Sequence, residues 1–359
     1  VGRGFRVPGI WQVAGGVRGG RMKKVAIIGA GLQARRRGAP IAEDPRFQIA
    51  VVVDRDQKKA ARVATPLGAT VATDWRPVVA DPAIDVVLVL TYPDTHAEIS
   101  IAALEAGKDV LCEKPLTRTE AEASAMVAAA RRTGRTLKCG FNHRHHPAIQ
   151  EAHRLFASGL IGQAVFGRAR YGIGGRAGIE TEWRSDPAIV SGGQLMEQGI
   201  HVVDLFAWFL GAIRRVTGFT STSRWPIQPL EENGFALLET AGGVIASVHS
   251  SLTQWTNLFE FEIYGDSGSL TVRGLGTSYG VEELIISQHD PNGPFSHRTI
   301  EYRGGDVSWK AEWEEFVGAI DGHRQPLGNG EDGLHAMQIV NAVYAAAKSG
   351  QAVILPSAG

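Results

Sequence analysis

One short stretch limits what this chain can fold into more than any other. The apolar run "VAIIGA" (25–30) passes directly into Gly29-Ala30-Gly31-Leu32-Gln33-Ala34. The first glycine permits a tight turn, the second lets a bound group approach the backbone at a helix N-terminus, and Ala34 is small enough for helix and strand to lie close. Asp54 stands at the tip of the next apolar run, 48–54. A G-x-G-x-x-A turn between strand and helix, with an acid on the second strand, is the arrangement that binds a dinucleotide. Gly29, Gly31, Leu32 and Gln33 read as its pyrophosphate turn. Asp54 can accept hydrogen bonds from both ribose hydroxyls, and its charge opposes a 2′-phosphate, which favours NAD. Arg55 beside it could pair with that phosphate, so NADP stays open.

Up to Phe141 the pattern repeats. Apolar, β-branched runs at 25–30, 48–54, 69–73, 85–91, 109–114 and 136–141 are separated in several places by helical segments, notably 96–106 and 119–133. Continuous apolar strands alternating with helices predict a doubly wound parallel sheet, an α/β Rossmann domain over 22–141. After about Pro147 the period changes. A helical stretch, 148–157, leads to mostly alternating strands at 164–173, 214–222, 233–240, 244–253, 259–265, 268–273 and 282–288, and a helical pattern at 332–349 follows. The short links 241–243 and 266–268 carry glycine, as antiparallel hairpins require. The expectation for 142–359 is an α+β domain on a large, mainly antiparallel open sheet, used for substrate binding and oligomerisation. Residues 1–21 hold seven glycines, four arginines and no acid, and Met22 then opens "MKKVAIIGAG". They read as a disordered extension.

Lysine plus arginine equals 37 and aspartate plus glutamate equals 37, so no basic field exists to attract nucleic acid. No apolar run reaches the roughly 18 residues of a membrane span. Cys112 and Cys139, the only cysteines, lie in apolar runs and read as reduced, buried thiols of a cytoplasmic protein.

Two further stretches carry chemistry. "VLCEKPLT" (110–117) brings Glu113 and Lys114 to the carboxyl end of the fifth strand, beyond which open parallel sheets bind ligands. Pro115 biases Lys114 toward an extended backbone. In "SGGQLMEQGIHVVDLFAWFLG" (191–211), Glu197, His201 and Asp204 fall at i, i+4 and i+7, opposite Leu195, Val202, Phe206 and Phe209. A histidine between two acids, with no nearby cation, differs from the Lys/Glu pairs of a solvated helix face.

"EKP" and the glycines leading into an acid-x-x-x-His-x-x-Asp helix, with "GFNHRHHPAI" (140–149) and "EWRSDP" (182–187), resemble the glucose–fructose oxidoreductase / inositol dehydrogenase / MocA family over 22–359. Two positions depart from its pattern: Ala34 replaces the third glycine, and Glu197 replaces the usual aspartate. The resemblance implies that Lys114 and His201 are catalytic and that Glu197 assists the histidine or holds substrate hydroxyls. Asp204 would support the same substrate-binding face. Thr91, Tyr92, Pro93 and His96 would contact the cofactor, with Glu113, Lys114, Asn142 and Arg184 around it and Arg144 bordering the cleft.

The implied reaction is hydride transfer between a nicotinamide and a secondary hydroxyl of a sugar, nucleotide-sugar or cyclitol. Tyr171, Arg176, Trp183, Arg184, Gln198 and Trp255 cluster where substrate would enter, and aromatic rings suit the apolar face of a sugar. A glycosidase that uses NAD for a transient oxidation, and a non-catalytic NAD-binding sensor, are the alternatives. The adjacent histidines of "NHRHHP" (142–147) lack the converging ligands of a zinc site, and no metal is expected. The open sheet would need covering, which points to a homodimer or homotetramer.

Overall fold

The computed structural model describes residues 21–289 and 292–356. Residues 1–20 of the expected extension lie outside the described residues, whereas Arg21 pairs with Asp85 at 2.6 Å.

The first half alternates strand and helix. It begins β1 (Lys23–Ile28), α1 (Leu32–Ala42), β2 (Phe47–Val53), α2 (Gln57–Ala64), β3 (Thr70–Ala72) and α3 (Arg76–Ala80). It continues β4 (Val86–Val89), α4 (Pro93–Glu105), β5 (Asp109–Cys112), α5 (Glu120–Thr133) and β6 (Leu137–Cys139). The six strands form one sheet in the order β3-β2-β1-β4-β5-β6, and every pairing is parallel. The chain reverses direction across the sheet between β1 and β4, which opens a crevice at their carboxyl ends. Strand β4 is shorter than the run 85–91 suggested because Pro93 occupies the first turn of α4 and starts that helix early.

The second half contains α6 (Pro147–Ala157), β7 (Ala164–Gly174), α7 (Ile200–Leu210), β8 (Ile213–Ser221), β9 (Asn233–Thr240) and β10 (Ile245–Ser251). It ends β11 (Thr253–Gly265), β12 (Gly268–Arg273), β13 (Glu282–Gln288), β14 (Ser296–Tyr302), α8 (Ser308–Asp321), α9 (Gly330–Ser349) and β15 (Val353–Ile354). Its nine strands run β14-β13-β12-β11-β7-β10-β9-β8-β15. Pairing is antiparallel except between β10 and β7. Helix α7 lies on one face, where Phe206 packs on Phe261.

Besides the short helices α2 and α3, which are not picked out individually, β14, β15 and α8 have no counterpart in the sequence reading. Strand β14 has an almost wholly exposed pattern and so shows no apolar alternation. Helix α8 places Trp313, Phe316 and Val317 in the same core cluster as Val25, Ile27 and Ala34 of the first half. The late part of the chain therefore returns to the nucleotide-type sheet, where the amide of Cys139 donates to the Gly328 carbonyl at 2.9 Å.

Candidate active site

The glycine turn is built as its sequence requires. Gly29 has φ +101°, and a Cβ there would lie 2.5 Å from the Leu90 carbonyl oxygen. A Cβ at Gly31 would meet nothing within 4 Å, so the backbone faces open space. No side chain caps the N-terminus of α1, which leaves its first amides free for an anion. Asp54 accepts from the amides of Ala30 and Asp56, each at 2.9 Å, and fixes the turn. Gln33 Oε1 is buried without a partner, and Leu32 is exposed beside it. Ala34 is fully buried. These features fit a dinucleotide: open glycine, unpaired helix amides and a half-exposed acid at the second strand.

The charges that end β5 part company. Glu113 turns inward and accepts from Arg37 Nε of α1 at 2.7 Å, and Arg37 also reaches Glu312 of α8 at 2.5 Å. The Glu113 carboxylate, expected near the cofactor, is held by a buried cation. Lys114 faces the opposite way, into the crevice. Its ammonium donates to the Glu197 backbone carbonyl and lies 3.3 Å from that residue's carboxylate.

Glu197 sits in a turn of π-helix, Leu195–Gly199, that precedes α7. Such turns are wider than α-helix and frequent at functional sites. Glu231 holds the start of this one by accepting from the amides of Gly193 and Leu195 at 3.0 and 2.8 Å. Gly199 permits close approach to β10: a Cβ there would lie 2.7 Å from Leu195 Cδ1 and 3.0 Å from Ser250 Cβ. The wider turn breaks the expected i, i+4, i+7 face. Glu197 meets Lys114 and also Arg184 Nε, at 3.2 Å. Asp204 points elsewhere, into a two-pronged pair with Arg144 at 2.6 and 2.8 Å. Burial pushes the Asp204 carboxyl up to about 6 even against the pull of Arg144. Asp204 thus braces α7 against the 142–145 segment.

His201 is almost fully buried, and its Nδ1 has no partner. Its ring stacks on His143, with centroids 3.8 Å apart and an interplanar angle of 20°. Burial drives the His201 imidazole well below its ordinary value, and His143, Lys114 and His146 push the same way. His143 Nε2 lies 3.1 Å from the hydroxyl of the buried Tyr171. Tyr171 lies against Tyr279, their rings 5.7 Å apart. Gln198 Nε2 donates to the Tyr279 hydroxyl at 3.3 Å.

Of the other anticipated residues, Tyr92 stacks on Trp183 across the crevice at 4.6 Å, and the Arg184 guanidinium lies 4.3 Å from the Trp183 ring centre. Arg184, anticipated at the cofactor, is thereby engaged by Glu197 and Trp183. Asn142 donates to Ser308 at 3.0 Å and bonds His143, and Thr91 accepts from Thr95 at 2.8 Å. His96 is buried, with its two ring nitrogens 3.1 Å from the carbonyls of Pro115 and Thr91, so it ties the ends of β4 and β5 together. Arg176 pairs with Glu182 at 2.7 Å on the surface. Arg55 and Trp255 are exposed. Sequence reasoning missed Arg37, His143 and Tyr279. Only the position of His143, directly after the last Rossmann strand, could have signalled it. Among the described residues no group of three or more His, Cys, Asp or Glu could hold a metal ion, and no helix is long and apolar enough to cross a membrane.

The parallel sheet and the open glycine turn define a dinucleotide-binding fold of the Rossmann type. The chain belongs to the GFO/IDH/MocA oxidoreductase family. Residues 23–141 match the family's NAD-binding Rossmann domain, and residues 149–271 match its C-terminal domain. Levoglucosan dehydrogenase of Pseudarthrobacter phenanthrenivorans is 30% identical over 283 residues, covering 68% of this chain and 72% of that protein. 1,5-Anhydro-D-fructose reductase of Ensifer adhaerens is 27% identical over 335 residues, 92% of this chain and 98% of that one. A solved levoglucosan dehydrogenase in complex with NADH and levoglucosan superposes with a TM-score of 0.86 at 25% identity, covering 93% of this chain and 99% of that one.

Proposed function

We propose that the protein transfers hydride between a nicotinamide cofactor and a secondary hydroxyl of a sugar, nucleotide-sugar or cyclitol, with Lys114 and His201 as the acid/base pair. The observation that carries this reading is a meeting across the crevice. Lys114, leaving β5, reaches the π-turn that runs directly into the buried His201. When bound, the nicotinamide supplies the hydride acceptor or donor. Gly29, Gly31 and the first turn of α1 would hold the pyrophosphate, and Asp54 the ribose. Residues 22–141 would thus serve the cofactor and 142–359 the substrate.

A base must be unprotonated before it acts, and burial keeps His201 in that form at neutral pH. The neutral imidazole takes the hydroxyl proton, and the Lys114 ammonium donates a hydrogen bond to the same oxygen as negative charge grows there. Glu197 holds Lys114 and Arg184 on one carboxylate oxygen, so it sets the direction of both cations. Tyr92 and Trp183 place aromatic carbon beside these charges, which suits a pyranose or cyclitol. Relatives named for levoglucosan and 1,5-anhydro-D-fructose support that substrate class.

The outer face of the second sheet exposes Phe219, Phe235, Leu237 and Ile245, which supports a homodimer or homotetramer through that sheet. Two buried free thiols support a cytoplasmic location. The test is a screen for NAD and NADP reduction over levoglucosan, myo-inositol, D-xylose and nucleotide-sugars. The expected result is NADH formation with one of these classes and weaker use of NADP. Dinucleotide binding without any oxidation would instead indicate a sensor, and release of an aglycone without NADH a glycosidase.

A further inference from the structure

His143 belongs to no role assigned above, yet its surroundings are unusual for a core histidine. It ends a chain of hydrogen bonds that all run one way. Ser308 Oγ donates to Asp306 at 2.6 Å, and Asn142 Nδ2 donates to Ser308 Oγ at 3.0 Å. That orientation turns Asn142 Oδ1 toward His143 Nδ1, 3.2 Å away, which must donate. On the other side of the ring, the Tyr171 hydroxyl lies 3.1 Å from Nε2. Both ring nitrogens of His143 therefore have oxygen acceptors for an imidazolium, and the chain ends on a carboxylate. His201, stacked 3.8 Å away, has none at Nδ1. A proton added there would leave a buried N–H unsatisfied.

Two imidazoles at this separation cannot both be charged. Double protonation is disfavoured by a factor on the order of 10³ at an effective dielectric constant of about 20. The other charged or titratable groups facing the pair are Lys114 after β5, Arg37 of α1, His146 and Tyr171. His146 is itself bonded to Glu282 at 2.9 Å. Arg37 opposes a proton on His201 alone, whereas Lys114 and His146 act on both rings and do not decide between them. The hydrogen-bond chain does.

We propose that His143 is a positioning residue for His201: it takes the first proton that enters the stacked pair and so keeps His201 free to act as a base as the pH falls. Burial depresses both rings, and the charge of His143 counts against His201, which agrees with this order of titration. The assignment of His201 as base is the reading given above, on which the functional consequence rests; the order of protonation does not need it.

The test is a pH titration of the ligand-free full chain labelled with [13Cε1]-histidine and followed by NMR, with the His201 signal assigned from a His201→Asn variant. In the wild type the His143 signal is expected to titrate first, with His201 at least one pH unit lower. In His143→Gln, which keeps a donor toward Asn142, the His201 titration should move up by one unit or more. His201 titrating before His143, or an unmoved His201 curve in the variant, overturns the assignment. Tyr171→Phe keeps both rings and removes one acceptor, so it should lower the His143 titration; an unchanged His143 curve also counts against it. A clean titration order alongside an inactive sugar screen would fail the enzyme reading alone.

Discussion

Replacing Arg37 with methionine removes the single cation between Glu113 and Glu312. Both carboxylates are buried, Glu312 completely, and Arg37 bonds them at 2.7 and 2.5 Å. After the change Glu312 keeps only Lys138, at 3.7 Å, and Glu113 loses its cation. Breaking a buried pair by deleting one partner costs about 3–5 kcal/mol, because a charge is left uncompensated. At about 2–4 °C per kcal/mol in large domains, the unfolding midpoint should fall by on the order of 10 °C. Adding Glu312→Leu removes one orphaned carboxylate, so the double variant should be milder than the single. Urea and thermal unfolding of the wild type and both variants measure this. An Arg37→Met protein within about 1 kcal/mol of the wild type, or a double variant worse than the single, would refute the electrostatic account of why a glutamate sits beside Lys114.

Gly29→Ala forces a Cβ to 2.5 Å from the Leu90 carbonyl oxygen at a φ of +101°; NADH fluorescence titration should show binding weakened at least about tenfold, ~1.4 kcal/mol, and unchanged affinity would contradict the turn's role. His143, His145 and His201 are all held well below the ordinary value of 6.5 by burial. Below that value the unfolded chain binds protons that the folded one does not, so urea-derived stability should fall with pH by up to about 1.4 kcal/mol per unit for each ring. A flat profile between neutral and mildly acidic pH would mean these rings titrate normally. If the proposed oligomer forms through the outer sheet, Phe219→Glu combined with Leu237→Lys should give a smaller species by sedimentation, and an unaltered oligomer would contradict that proposal.

How much of this was legible beforehand depends on what each residue answers to. The Rossmann half could be read because its strands are buried on both faces and the glycine turn obeys a local steric rule. Gly29 is required by the Leu90 carbonyl, at the end of β4, the strand that lies beside β1 in the sheet. Lys114 and His201 could be singled out by residue type and spacing, and the structure does bring Lys114 to the turn ahead of His201. The alignment of Glu197 with His201 and Asp204 failed because a π-turn is a tertiary choice, enforced by Glu231 and the contact of Gly199 with β10. The ion pairs of Glu113 and Asp204 were not legible for one reason: their partners, Arg37 and Arg144, lie 76 and 60 residues away. A charge in an apolar run looks like a site until its distant counter-ion is seen. Helix α8 was missed although its core residues are plain, because nothing local says that it returns to the first sheet.

The most direct test of the acid/base assignment separates chemistry from binding. His201→Asn and Lys114→Met should each lower kcat on the best sugar or cyclitol by about 10² or more, while NADH affinity stays within a few-fold of the wild type. Normal turnover in either variant would contradict the account, because a residue essential to moving the hydroxyl proton cannot be removed without slowing the hydride that leaves with it.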